Sequence, residues 1–172
     1  MSEAIQIRSA ILADATALLA IYRPFVEASA VSFEVAVPTV EQFGARIAKA
    51  LHGWAWLVAE REGQCIGYAY GSMHRERAAY RWSAEVSAYV HASHYRQGVG
   101  AALYRALFDV LASKGYCNAY AGITLPNEAS LALHHKLGFQ SIGVFKAVGR
   151  KFGHWHDVAW LQRVLRDSPP SD

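Results

Sequence analysis

The chain has 172 residues and a formal charge of +3, with 53% hydrophobic and 18% charged residues. That length suits one domain able to bury a core without metals or disulfide staples. The mild charge, scattered rather than gathered in an aromatic-studded stripe, speaks against a nucleic-acid binder. No run approaches the roughly 18 apolar residues of a membrane span, and the start, MSEAIQIRSA, carries an acid at Glu3 and no long apolar core. Cys65 and Cys117 sit apart in apolar runs without a CxxC spacing, so they read as buried free thiols of a cytoplasmic protein.

IQIRSA (Ile5 to Ala10) alternates like a short strand. Asp14 is the candidate cap of a helix whose Ala17, Leu18, Ile21, Tyr22 and Phe25 recur at helical spacing, with Pro24 expected to kink or end it. A loop holding Ser32, Phe33 and Glu34 leads through Pro38 to a second helix. Thr39 is its cap, Phe43, Ile47 and Leu51 its inner face, and Gly53 its stop. WAWLVAE and CIGYAYGSMH, parted by REGQ, read as an antiparallel hairpin ending at Gly71, and WSAEVSAYV (Trp82 to Val90) as a further strand. From Gly98 to Lys114 the spacing of Val99, Leu103, Leu107, Val110 and Leu111 predicts an amphipathic helix ended by Gly115.

Strand returns at Ala119 to Ile123. Asn127 and Glu128 open a short helix to about Leu137, Gly138 stops it, FQSIGVF is extended, and a last strand is expected around Val158 to Leu165. The tail DSPPSD, residues 167–172, is expected to be disordered, leaving residues 1–166 as the folded domain. The predicted order is β-α-α-β-β-β-α-β-α-β-β. This is an α/β (α+β) class domain with a mixed, mostly antiparallel central sheet flanked by helices.

In HYRQGVGAAL, two glycines stand where strand gives way to helix. Such a turn leaves backbone N–H groups free at the positive end of a helix, and phosphate binds there. The donors would be the amides of Arg96, Gln97, Gly98, Val99, Gly100 and Ala101. No Lys-Ser or Lys-Thr follows, which rules out a P-loop. A dinucleotide turn would need a third glycine where Leu103 stands and an acid near Ile123 or Thr124. A different pyrophosphate cradle and a turn needing glycine only for geometry both remain open. Glu85 interrupts an apolar, aromatic strand, where an acid is costly to bury without a partner or a task. A solvent-facing position or an ion pair with Arg81 would also account for it. His154 and His156 in GHWHDVAW lack an accompanying acid or cysteine cluster, so no metal site is expected.

SAEVSAYVHASHYRQGVGAALYRAL followed by GITLPNEASLALHHKLGFQSIG resembles the acyl-CoA-binding core of the Gcn5-related N-acetyltransferase (GNAT) superfamily, and the likeness spans nearly the whole chain. ASAVSFE, AYRWSAEVSAYV, LPNEASLALHHKLGF and KFGHWHDVAWLQ are similar to the phosphinothricin and methionine sulfoximine acetyltransferases within it. One position departs: the Gln or Arg usual three residues before the first glycine of the turn is here Tyr95. The resemblance implies a single GNAT-like domain and acetyl-CoA as co-substrate without a metal. It also implies a small-molecule amine acceptor and a homodimer.

It further implies roles for particular residues. Glu85 falls on the family's proposed catalytic glutamate and would take the amine's proton. His134 stands where many members carry a tyrosine, as acid toward the thiolate, as second base or as a structural residue. Backbone groups of Ala88, Tyr89 and Val90 would pair with pantetheine like an added strand, with the Val90 N–H as oxyanion donor. Asn127 would bond the pantetheine or simply cap its helix. Lys136 would reach the phosphates or lie on a solvated face. Arg75 and Arg77 suit a carboxylate or phosphinate on the acceptor, if they are more than exposed loop arginines. Phe33, Glu34, Tyr80 and the backbone of Val86 and Ser87 resemble further parts of the acceptor pocket, and GHWHDVAW is expected to line that pocket or a dimer contact. No cysteine is placed for a covalent step. A polyamine, an aminoglycoside or a protein N-terminus as acceptor, or a CoA-sensing module without turnover, are the competing readings.

Overall fold

The computed structural model describes residues 4–170; Glu3 and the last two residues of the expected tail lie outside them. The strands are β1 (Gln6–Ser9), β2 (Trp56–Arg61), β3 (Gln64–Met73), β4 (Ser83–Val90), β5 (Asn118–Thr124), β6 (Gln140–Lys151) and β7 (His154–Val164). The helices are α1 (Ala15–Glu27), α2 (Val40–Gly53), α3 (Val99–Ser113) and α4 (Glu128–Lys136). Their order along the chain is the one read from the sequence, with three short 3-10 turns added. One sheet results, in the order β1-β2-β3-β4-β5-β7-β6, and every pairing is antiparallel except β4 with β5.

Side chains alternate across the sheet and so build two cores. Leu57, Ala69, Ala84 and Val86 meet Leu103, Leu107 and Leu111 of α3 on one face. Trp56, Val58 and Tyr68 meet Leu18, Phe43 and Ile47 of α1 and α2 on the other. Thr39 caps α2 through a reciprocal box: its Oγ1 accepts from the Gln42 N–H at 3.2 Å, and Gln42 Oε1 accepts from the Thr39 N–H at 2.9 Å. Ala50 takes the buried place expected of Leu51, which is half-buried at the margin.

Several local expectations are corrected. The Asp14 carboxylate does not cap α1; it accepts from the Ile11 N–H at 2.8 Å and from Arg8 at 2.8 Å, closing the preceding 3-10 turn and tying it to β1. Pro24 does not end α1, which runs on to Glu27, because a proline this close to the C-terminus forfeits a single ladder bond while its own carbonyl still accepts from Ala28 at 2.9 Å. β3 passes Gly71 and ends at Met73, and β7 starts at His154 rather than near Val158. The β2–β3 and β6–β7 hairpins turn through Glu62-Gly63 and Phe152-Gly153, pairs with positive φ at both residues, which matches strand twist. Cys117 is buried and Cys65 half-buried, both as free thiols. Residues 167–170 of the tail are irregular and exposed, with Pro170 set against Gly115.

The pairing of β4 with β5 positions the site. It spans only Ser83↔Asn118 to Glu85↔Tyr120, after which β5 continues against β7 alone. Beyond Glu85 the two strands separate, and a wedge opens between Val86 to Val90 and Ala121 to Thr124.

Candidate active site

Two cavities meet at this wedge. The smaller, about 70 Å³, is lined by Val86 to Tyr89, Ala121 to Thr124, Tyr104, Asn127, Ser130 and His134. The larger, about 460 Å³, is lined by Ser32, Phe33, Arg75, Glu85, Gly122, Phe145, Val148 and Trp160 among others. Val86, Ser87, Tyr89, Gly122 and Thr124 belong to both walls, so one space leads into the other. A further cavity of about 290 Å³ beneath α2, walled by Phe43, Trp54, Trp56 and Tyr70, holds Arg46 and Lys49 but neither carboxylates nor histidines.

The two glycines of the turn serve different needs. Gly98 has φ 81°, and a Cβ there would meet nothing within 4 Å, so it is the left-handed backbone that requires glycine. At Gly100 a Cβ would lie 3.2 Å from Leu133 Cδ2 and 3.9 Å from Val90 Cγ2; glycine lets α3 start close against α4 and the end of β4. The bond from the Ala102 N–H to the Gly98 carbonyl, 3.0 Å, opens the α3 ladder. The amides of Val99, Gly100 and Ala101 therefore precede it at the positive end of the helix. Gln97 bridges Arg61 at 2.6 Å and the Ser93 carbonyl at 3.0 Å, which secures the turn with its side chain. Arg96 is also left-handed, at φ 58°. Tyr95 is exposed where the 3-10 turn Ala92–His94 ends, and Lys136 is exposed on the last turn of α4.

The direction of backbone N–H groups alternates along a strand. His91 gives its N–H to Ile66 beside β3, at 2.9 Å, so those of Val90 and Ala88 face the wedge. Asn127 caps α4, its Oδ1 accepting from the Ser130 N–H at 3.2 Å.

Glu85 lies directly across from Ser72 on the face that carries α1 and α2, with its side chain 31% exposed. Its Oε1 lies 3.2 Å from His74 Nδ1 and 3.5 Å from Arg75 Nη1. Arg81, the partner weighed from the sequence, has its guanidinium 5.2 Å from the centre of the Trp82 ring. The His74 imidazole stacks on Tyr120 at 4.5 Å and 12°. Sequence reasoning missed His74; its one signal was a place next to the Arg75-Arg77 pair.

His134 is buried. Its Nδ1–H donates to the Ser130 carbonyl at 2.7 Å, and its Nε2 accepts from Tyr104 Oη at 3.1 Å. Burial pushes the imidazole's pKa down and the Tyr104 phenol's up, so both are neutral near pH 7. Tyr104, also missed, carries no sequence signal beyond a core position of α3.

The expected acceptor residues divide. Phe33, Arg75, Val86 and Ser87 line the larger cavity. Arg77 is exposed just ahead of the 3-10 turn Ala78–Tyr80, and Tyr80 sets its ring 5.8 Å from that of His74. The Glu34 carboxylate is gripped by Arg46 at 2.8 and 2.5 Å and accepts from Tyr22 Oη, so it braces the early loop, and Arg46 holds its pKa below the usual range. Two residues no sequence pattern flagged hold that loop over the cavity. Buried Lys151 donates to the Ser32 carbonyl at 2.7 Å, and the Phe33 ring packs against Gly149, where a Cβ would force the ring to shift. From GHWHDVAW, Trp160 lies over Gly122 and His156 stands near Phe33, with ring centres 6.2 Å apart. Among the described residues no group of three or more His, Cys, Asp or Glu is placed to hold a metal, and no helix is long and apolar enough to cross a membrane.

Residues 7–160 match the family model described as an acetyltransferase (GNAT) domain. The chain is 36% identical over 167 residues to a phosphinothricin N-acetyltransferase of Streptomyces viridochromogenes, covering 96% of this chain and 91% of that one. It is 35% identical over 167 residues to an L-methionine sulfoximine/L-methionine sulfone acetyltransferase of Salmonella typhimurium, with 96% and 98% covered. Among solved structures, a GNAT superfamily phosphinothricin acetyltransferase of Sinorhizobium meliloti in complex with acetyl-CoA superposes with a TM-score of 0.93 at 33% identity, covering 98% of this chain and 94% of that one.

Proposed function

The chain belongs to the GNAT acetyltransferase family and is an acetyl-CoA-dependent N-acetyltransferase, and on that premise we propose that its acceptor is the α-amine of a small amino-acid-like molecule of the phosphinothricin or methionine sulfoximine kind. The observation that carries this reading is the place of Glu85. It stands on the wall of the larger cavity where that cavity runs into the wedge, with the Arg75 guanidinium beside it. An amine entering next to Arg75 would keep its own carboxylate or phosphinate on the guanidinium. The Glu85 carboxylate would take a proton from the ammonium, directly or through a water, so that the neutral nitrogen can attack.

The amides at the start of α3 suit a pyrophosphate and the free edge of β4 suits the pantetheine arm, with the Val90 N–H facing the thioester oxygen as it gains charge. Neutral His134, with its Nδ1–H on the Ser130 carbonyl and its Nε2 accepting from Tyr104 Oη, has no free proton for the thiolate and serves as a structural residue of the wedge wall. Arg77 assists Arg75 from the adjoining turn. A homodimer belongs to the same reading: Ile142, Val144, Phe145, Val148, Phe152 and Trp155 expose apolar surface on the β6–β7 hairpin at the open edge of the sheet. A reducing, cytoplasmic setting suits the two free thiols.

Thiol release from acetyl-CoA, followed over a panel of amines, tests the proposal. Amino-acid analogues should be turned over in preference to polyamines, aminoglycosides and peptide N-termini; a preference for the cationic or peptide acceptors would overturn it. Glu85→Gln should lower kcat at least ~10²-fold at neutral pH with acetyl-CoA affinity nearly unchanged. Unaltered turnover would remove Glu85 from the mechanism.

A further inference from the structure

We infer that His74 is a positioning residue for the reaction: its Nδ1–H holds Oε1 of Glu85, so that the other carboxylate oxygen is presented to the acceptor amine. The inference deepens the proposed function and rests on Glu85 being the base.

The placement follows from strand register. Ser72 lies across from Glu85 in the β3–β4 pair, and Glu85 lies beside Tyr120 in the β4–β5 pair. Side chains two residues apart point to the same face. His74, the first residue beyond β3, therefore falls diagonally over Glu85 and within reach of Tyr120. It uses both neighbours, stacking on Tyr120 and bringing Nδ1 to 3.2 Å from Glu85 Oε1. Tyr80 and Trp160 set their ring edges against the imidazole, at 5.8 and 6.5 Å, and only 13% of the side chain is exposed. The ring is thus held on several sides, and its one nitrogen contact among the described residues is the carboxylate that faces the acceptor cavity.

Such a clamp matters because a glutamate has three rotatable side-chain bonds and Glu85 is partly open to the cavity. A base must reach the proton it takes with little misplacement. With His74 on Oε1 and Arg75 at 3.5 Å from the same atom, Oε2 is the oxygen left to the acceptor among the described residues. Arg75 is a poor substitute for the clamp, since the acceptor's anionic group would draw its guanidinium away. His74, stacked and largely enclosed, stays with Glu85 throughout.

Two substitutions separate the hydrogen bond from the packing. His74→Phe keeps a ring on Tyr120 and deletes the donor; His74→Asn keeps an N–H near the Nδ1 position and deletes the stack. With an accepted amine, His74→Phe should lower kcat about 10-fold while KM for acceptor and for acetyl-CoA stay within about 2-fold, and His74→Asn should recover most of the loss. Wild-type kcat in His74→Phe, or an equal loss in both variants, would overturn the inference. A second readout does not depend on turnover. In protein labelled with 15N-histidine, the His74 Nδ1 resonance should move in Glu85→Gln, and an unmoved resonance would refute the contact. If wild-type protein acetylates no amino-acid acceptor, the substrate reading fails, and the resonance still decides whether His74 holds Glu85.

Discussion

Replacing Tyr104 by Phe removes one oxygen from the centre of the molecule and measures what orders His134. Tyr104 is 2% exposed and His134 4%, and besides an edge-on ring contact at 5.1 Å they are linked by the 3.1 Å bond from Tyr104 Oη to Nε2. The aromatic ring stays, and with it the stack on Phe108 at 5.5 Å and the contact with Phe139, so no void larger than an oxygen atom is created. A net hydrogen bond contributes about 1 kcal/mol, but deleting only the donor leaves a buried acceptor unpaired, which costs about 1–3 kcal/mol instead; near 2 kcal/mol is expected. For a chain of this size each kcal/mol shifts Tm by about 2–4 °C, so Tm should fall by about 4–8 °C at pH 7.5. Calorimetry on wild type and variant, with near-ultraviolet circular dichroism to show that the packing survives, gives the measurement. A fall of less than about 1 °C would mean that Nε2 has no need of this donor, and the account of His134 as a neutral imidazole held between Ser130 and Tyr104 would be wrong.

The same imidazole gives a pH prediction. Because burial lowers its pKa in the folded state, the unfolded chain binds a proton that the folded one does not as pH drops below the ordinary histidine value of about 6.5. Its contribution is therefore complete above that value and lost on acidification. Tm of wild type should fall between pH 7 and pH 5 more steeply than that of His134→Gln, and parallel curves would refute the assignment. Gly149→Ala puts a methyl into the Phe33 ring, which is partly exposed and free to swing outward. Tm should stay within about 2 °C while KM for the acceptor rises several-fold and KM for acetyl-CoA does not; equal rises in both would show that Phe33 does not wall the acceptor cavity. Gly98→Ala imposes a side chain on a left-handed residue at a cost of about 1 kcal/mol. A rise of about 10-fold in KM for acetyl-CoA with an unchanged acceptor KM is expected, and unchanged acetyl-CoA binding by calorimetry would separate this turn from the pyrophosphate.

Where forces act between near neighbours, the sequence was sufficient. The Thr39–Gln42 box, the apolar spacing of α3 and the glycine pair at its start all report interactions spanning three or four residues, and the element order followed from them. Even locally, competition intervenes: Asp14 reads as a helix cap, but Arg8 of β1, whose guanidinium also donates to Glu60 of β2, draws it into an ion-pair cluster with the preceding turn. β6 outruns the extended segment FQSIGVF because almost all of it is exposed, so it carries no alternation to follow, and its pairing with β7 is interrupted twice by register shifts.

The amino-acid sequence alone determined that a carboxylate would sit in an aromatic strand, that backbone amides would be free ahead of α3, and that the chain carries the GNAT motifs. Only the tertiary structure decided what stands beside those groups. His74 meets Glu85 across 11 residues of chain, Tyr104 meets His134 across 30, and Lys151 meets Ser32 across 119. The first depends on strand register, the second on how α3 packs against α4, and the third on the loop after α1 reaching β6; such long-range packing leaves no periodic trace in the residues that make the contact.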